Sequence, residues 1–345
     1  MTIIQLFKQG ISKTRRTKRM ILFAWAVNLL VALMLAFPLR NQLDSFLRNS
    51  MMEEKQLEML DDTWLGTYRF EYQNSEIARL FDVSVLGSAP FYQHLQGILN
   101  GGIVRNTGSF LSDWIFGFKL VPSYFGLLSL LALFYAVLSS FTAGGFIGVY
   151  AREYRSSFQD FLVDGAKYFG RLFRLSIMSL IFYALFFGIV MNWVNNGIPT
   201  WTSNEPSEAT PYTYYMIRNV GFVVLLAFFM MSLDYAKVRI VVEDRLSSIL
   251  AFFAGFRFSF KNLGKTFGLY VILSVVGFIL VWLYAVLEGW LSHTTYSGLI
   301  GVMIVQQLYM LLFFWVKANF FASQTSLYQD VLKRDQKAPA PMVKE

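Results

Sequence analysis

Cysteine is absent from the 345 residues, which excludes a disulfide framework, a thiolate metal site and a cysteine nucleophile. Histidine occurs only as His94 and His293, too few for a histidine-rich metal centre or a bis-histidine haem site, so neither a cofactor nor a metal is expected. Charge is scarce as well. Charged residues make up 15% of the chain, against about 25% in an ordinary soluble domain. What fills the space is apolar: 55% of residues are hydrophobic and 18% aromatic, and the mean hydropathy is +0.46. A chain of this length with so little charge for a water-facing surface is expected to be an integral membrane protein. The formal charge of +8 then bears first on which side of the membrane holds the basic residues, and no nucleic-acid partner is expected.

Six stretches are apolar enough to cross a hydrocarbon core, which takes roughly 20 residues. They lie near residues 20–38, 124–149, 175–194, 213–233, 266–289 and 298–321. Backbone groups in lipid must pair within their own segment, and no alternating strand pattern is present, so each is expected to be a helix. The fold class that follows is all-α: one transmembrane domain over residues 1–345, with six spans arranged as three hairpins. The first run lacks a small-residue cleavage site and is expected to stay as an uncleaved span.

Basic residues set the orientation. Lys8, Lys13, Arg15, Arg16, Lys18 and Arg19 precede the first run, and Arg152, Arg155, Lys167, Arg171 and Arg174 follow the second. Lys237, Arg239, Arg245, Arg257, Lys261 and Lys265 follow the fourth, and Lys333, Arg334, Lys337 and Lys344 follow the sixth. The connections at 200–212 and 288–297 carry no Lys or Arg. Both termini are therefore expected on the cytoplasmic side, with residues 323–345 as a flexible tail. The segment 39–119 becomes an extracytoplasmic insertion, in which Leu43, Phe46, Leu47, Met51 and Leu57, and then Ile77, Leu80 and Phe81, suggest two amphipathic helices of a small cap.

One pattern occurs three times, each time about ten residues before an apolar run. Phe7-Lys-Gln-Gly10, Leu162-Val-Asp-Gly165 and Phe252-Phe-Ala-Gly255 each have a basic residue six positions after the glycine, at Arg16, Arg171 and Lys261. In the second and third copies aromatic residues are interleaved with the basic ones. That mixture suits a helix lying in the cytoplasmic interface, with rings at the acyl boundary and cations among lipid phosphates. Lys167, Arg171, Arg174, Arg257, Lys261 and Lys265 are accordingly the candidates for a lipid-headgroup or partner site. The first copy lacks the aromatics and carries Ser12 where the others have Lys167 and Arg257, so it is expected to act as a topology anchor.

Polar groups within spans need partners. Asp234 and Lys317 fall toward the same end of the fourth and sixth spans and are the candidate intramembrane ion pair. Gln306, Gln307 and Asn28 are expected to hydrogen-bond between helices. The Gly144-x-x-x-Gly148 pair offers a surface for close helix packing. No phosphate-binding, dinucleotide, nucleophile-elbow or zinc-protease pattern is present. Asp164 and Glu243-Asp244 read as counter-ions for nearby arginines, so no catalytic residue is assigned.

Phe141-Thr-Ala-Gly-Gly145, Lys167-Tyr-Phe-Gly-Arg-Leu-Phe-Arg-Leu175, Asp234-Tyr-Ala-Lys-Val-Arg239 followed by Val242-Glu-Asp-Arg245, and Gln306-Gln-Leu-Tyr309 together resemble a group of uncharacterised bacterial six-helix membrane proteins. The layout is more loosely similar to the membrane domain that accompanies some glycerophosphodiester phosphodiesterases, although nothing in this chain encodes a separate catalytic barrel. The resemblance implies a three-hairpin bundle in a bacterial inner membrane and supplies no activity. The function expected is non-enzymatic, that of a structural or accessory protein binding anionic lipid or a membrane-protein partner; a transporter or permease for a small molecule or lipid is the alternative.

Overall fold

The computed structural model describes residues 1–49, 67, 70–71, 127–152, 154–205, 207, 209–291 and 295–337. Among these every regular element is a helix, so the all-α expectation holds. In chain order they are α1 (Ile3–Arg15), α2 (Lys18–Asn49), α3 (Leu127–Ala151), α4 (Phe158–Leu185), a π-helical turn (Phe186–Met191), α5 (Asn192–Trp201), α6 (Ala209–Val242), α7 (Ser248–Lys261), α8 (Leu263–Gly289) and α9 (Tyr296–Lys337). Most of the outer segment 39–119, including its second expected helix, lies outside the described residues. Its first expected helix begins as the end of α2, which runs on past Pro38 to Asn49.

Four helices among the described residues, not the expected six, are long and apolar enough to cross a membrane: Leu133–Ala151, Ala209–Val242, Leu263–Gly289 and Ile300–Gln336. The expected third span is helical, but its apolar run is divided among α4, the π turn and α5. The expected first span lies within α2, where Lys18 and Arg19 precede the run and part of the run falls on side chains outside the described set. A second correction concerns the tail. The flexible tail is expected over 323–345, yet in its described part, 323–337, α9 continues to Lys337 and buries Ser323, Gln324, Thr325, Ser326, Leu327 and Tyr328. Its Ser/Gln/Thr composition suggests a solvated surface, but small polar side chains also let helices approach closely.

The chain divides into two compact units. The first is made of the described residues within 1–20, 139–275 and 316–345; the second of those within 21–138 and 276–315. In the second unit the indole Nε1 of Trp25 donates to Gln307 Oε1 at 3.1 Å, the interhelical role expected of that glutamine. Tyr284 and Tyr309 stack with their rings 4.7 Å apart.

The first unit holds the three glycine-bearing segments. Each begins at a hydroxyl N-cap placed eight residues before its glycine. Thr2 accepts from the Gln5 N–H and Ser157 from the Asp160 N–H, both in reciprocal capping boxes, and Ser247 accepts from the Leu250 N–H. Such caps satisfy amide donors that the helix leaves open. Each glycine is then buried where a Cβ would meet a neighbouring helix. Gly10 faces Ser323 and Asn319 of α9, Gly165 faces the Phe141 ring and carbonyl of α3, and Gly255 faces the Ser232 carbonyl and Ala236 of α6. The expected packing surface on α3 is also occupied, since Gly144 meets Tyr168 and Leu172, Gly145 meets Phe161, and Gly148 meets Asp164, all from α4. Aromatic stacking fastens α4 to α6, with Phe182 and Phe229 rings 3.7 Å apart.

The three segments join their following helices differently. α1 breaks at Arg16 and Thr17 before α2, and α7 breaks at Asn262 before α8. α4 has no break; its capped first turn and its apolar stretch belong to one helix.

Candidate functional site

Charged side chains of the first unit collect around the turn that follows α6. Glu243, Asp244 and Arg245 close that turn, and Asp244 adopts a left-handed backbone (φ 50°), a conformation aspartate tolerates better than most residues. Its carboxylate takes two cations from α4, Lys167 Nζ at 3.0 Å and Arg171 Nη1 at 2.5 Å. Arg171 also reaches the Arg245 carbonyl at 3.4 Å, and Ser248 Oγ donates to the Arg171 carbonyl at 2.8 Å. Lys167 and Arg171 both lie near the face of the Tyr168 ring, where the ring quadrupole adds to their attraction.

Hydrogen bonds from Arg171 and then Lys167 hold the Asp244 carboxyl below its ordinary range, and the bond to Asp244 raises the Lys167 ammonium. Glu243 is drawn two ways: partial burial pushes it up, while hydrogen bonds from Tyr328 and Arg245 and the nearby Arg239 outweigh that and leave it lowered. The phenol of Tyr328, on α9, donates to Glu243 and ties the turn to the last helix.

A second ionic cluster sits at the start of α4. Arg152 lies between Asp164, whose Oδ1 accepts from Nη2 at 2.6 Å, and Asp160, 3.3 Å from Nη1. Asp164 is buried, and burial raises its carboxyl despite the guanidinium. Asp160 is lowered, chiefly by the backbone N–H of Ser157 that it caps. The carboxylates at 164, 243 and 244 thus serve as counter-ions to basic residues.

Of the expected Asp234–Lys317 pair, the carboxylate has further partners nearby. Asp234 receives Lys237 Nζ at 2.9 Å on one oxygen and Gln324 Nε2 at 3.3 Å on the other. Lys237 stands one helical turn along α6, so it reaches the carboxylate with little side-chain reorientation. Lys317 is half-buried and remains within the electrostatic influence of Asp234.

The six basic candidates therefore separate into two groups. Lys167 and Arg171 meet on Asp244, while the exposed Arg174 turns its Nε back to the Gly170 carbonyl at 3.1 Å. The other three lie at the joint between α7 and α8. Arg257 is exposed, Lys261 stands 3.8 Å from Asp335 with both side chains well exposed, and Lys265 follows in the first turn of α8.

The burial of α7 is inverted. Its buried residues are small, namely Ser248, Ala251, Gly255 and Ser259. Three of its large apolar side chains point outward, Leu250 at 72% exposed and Phe253 and Phe260 at 64% each, while Phe256 and Phe258 are half-buried beside the Phe229 and Tyr235 rings of α6. In water such a face is costly, at roughly 25 cal/mol per Å² of apolar area. The hydroxyl caps and the small residues opposite each glycine went unrecognised in the sequence, although Thr2, Ser157 and Ser247 share one spacing to the glycine and could have been found by it.

Comparison of the chain with protein-family models, with curated proteins and with solved structures finds no match.

Proposed function

We propose that this is a non-enzymatic, multi-pass protein of a bacterial inner membrane, acting as a structural or accessory component that binds anionic lipid or a membrane-protein partner through its glycine-bearing helices. The observation that carries the reading is the inverted burial of α7, which turns aromatic and basic side chains outward and small ones inward. A membrane interface removes the cost of that arrangement, because it offers acyl chains to the rings and phosphates to the cations.

The reading takes the chain as three related hairpins, with α2 and the α4–α5 segment as two further crossings beside the four apolar helices. The equal spacing of cap and glycine in the three segments, and the matching close approaches of Gly10, Gly165 and Gly255, favour it. Both termini and all three segments lie on the cytoplasmic side, in keeping with the distribution of Lys and Arg.

The full chain in phosphatidylcholine nanodiscs, with and without phosphatidylglycerol, tests the lipid reading by native mass spectrometry of retained lipid. Retention favours phosphatidylglycerol, and joint reversal of Lys167, Arg171, Arg257 and Lys261 to Glu removes the preference. An unchanged preference in that variant sinks the headgroup reading.

A transporter is the second reading, favoured by the charged and amide groups Asp234, Lys237 and Gln324 set together on otherwise apolar helices. It requires Asp234→Asn to abolish solute or lipid flux in proteoliposomes while the protein stays folded.

A further inference from the structure

The two clusters of cations differ in what already occupies them. Lys167 and Arg171 share the Asp244 carboxylate, so an incoming phosphate must displace an intramolecular anion of the same charge. Among the described residues Arg257 and Lys265 have no ion-pair partner, and Lys261 has only the loose, exposed contact with Asp335 at 3.8 Å. An exposed pair of that kind contributes little and yields readily to a competing anion.

Position reinforces the difference. Arg257 and Lys261 are one helical turn apart on α7, which puts them on one face. Leu250, Phe253 and Phe260 are exposed along the same helix. α7 ends at Lys261 with Asn262 as its C-cap, and Lys265 stands in the first turn of the next helix, so the break gathers three cations at a joint. The amino-terminal end of α8 adds its positive partial charge there. Apolar side chains beside bare cations match an amphiphile that has an anionic head and acyl tails.

We infer that the joint between α7 and α8 is a binding site for the phosphodiester headgroup of an anionic phospholipid, held by Arg257, Lys261 and Lys265 while Phe253 and Phe260 lie along the acyl chains. The site rests on the lipid-binding reading above and narrows it to one of the two clusters. The α4 cluster serves instead to fix the turn after α6 through Asp244.

The test uses the full chain in mixed phosphatidylcholine and phosphatidylglycerol nanodiscs, with native mass spectrometry of retained lipid and circular dichroism as a check of folding. Wild type retains phosphatidylglycerol preferentially. Arg257→Gln with Lys265→Gln lowers that preference roughly thirtyfold, since each near-surface cation is worth about 1 kcal/mol. The exchange Arg257→Lys with Lys265→Arg restores it. Lys167→Gln with Arg171→Gln leaves it within about twofold of wild type, the scale of a small fraction of a kcal/mol. Excess inorganic phosphate does not displace the lipid, because it lacks acyl chains.

Wild type with no preference for phosphatidylglycerol overturns the lipid reading altogether. Wild-type preference that survives in the Arg257/Lys265 variant and disappears in the Lys167/Arg171 variant overturns this assignment alone. Displacement by phosphate makes the joint a free-anion site and overturns the commitment to lipid. If a double variant loses its helical signal, the single variants Arg257→Gln and Lys265→Gln replace it, and each is then expected to weaken the preference by several-fold.

Discussion

Gly255 of α7 lies so close to Ser232 of α6 that a Cβ built on the glycine would stand 2.6 Å from the serine carbonyl oxygen. Backbone cannot rotate out of the way as a side chain can, so this contact sets how near the two helices come. It also bears on the inverted burial of α7: small residues occupy the closest approach, Phe256 and Phe258 pack to its sides, and Leu250, Phe253 and Phe260 turn outward.

Adding a methyl group at position 255 is therefore expected to be harmful. Gly255→Ala lowers stability by about 1–3 kcal/mol, the usual cost of overpacking. Gly170, with nothing within 4 Å of a built Cβ, is the control inside a helix. There Gly170→Ala raises stability by about 0.5–1 kcal/mol through backbone entropy. Thermal unfolding of the two variants in one detergent checks the opposite signs.

The hydroxyl caps are expected to act singly. Ser157→Ala and Ser247→Ala each cost about 1 kcal/mol, and Thr at either position recovers most of it. Hydrogen exchange is the most local measurement: the first turn of the affected helix loses protection while the middle of α6 keeps its own.

Asp244→Asn releases Lys167 and Arg171 from their shared carboxylate. Both the carboxylate and Lys167 are about half-exposed, so the loss of stability stays below about 1 kcal/mol. Lipid binding moves the other way. The variant retains more phosphatidylglycerol than wild type in nanodiscs, because two cations become free for phosphate; unchanged retention means that Asp244 does not compete with lipid.

Acid acts on Asp244 and Asp164 with opposite signs. Asp244 is lowered in the fold, so its contribution is complete above its unfolded value near 3.8 and is lost as pH falls through the lower folded value. Asp164 is raised, so its ionisation disfavours the fold; the stability linked to its protonated form is complete below 3.8 and disappears as pH rises through the raised folded value. Asp164→Asn consequently flattens the stability profile just above pH 3.8, whereas Asp244→Asn flattens it below. Unfolding midpoints across the acid range in the two variants separate the two effects.

Much of the architecture was legible because it rests on long apolar runs and on glycine. The helices of α3, α6, α8 and α9 follow from hydropathy, and Gly144 and Gly148 marked a place where helices meet. What escaped notice depends on the partner rather than on the residue itself. Asn319 and Ser323 look like solvated polar residues until Gly10 is set against them, and the polar stretch at 323–328 looked like a tail for the same reason. Depth brought Asp234 and Lys317 together in the sequence, while the salt bridge from Lys237, three residues along the same helix, went unnoticed. Basic spacing grouped Lys167 with Arg257, but only the position of Asp244 distinguishes an occupied cluster from an open one.

Lipid binding as proposed requires the outward face of α7 to lie in lipid at the membrane interface. Because the chain has no cysteine, a single spin label introduced at Phe253→Cys, or separately at Lys8→Cys, reports depth without background labelling. Power-saturation measurements on the full chain in vesicles containing phosphatidylglycerol are expected to find the label at 253 open to oxygen and shielded from a water-soluble nickel chelate, with the label at 8 open to the chelate. A label at 253 as open to the chelate as the one at 8 would place α7 in water and rule out a lipid-facing α7.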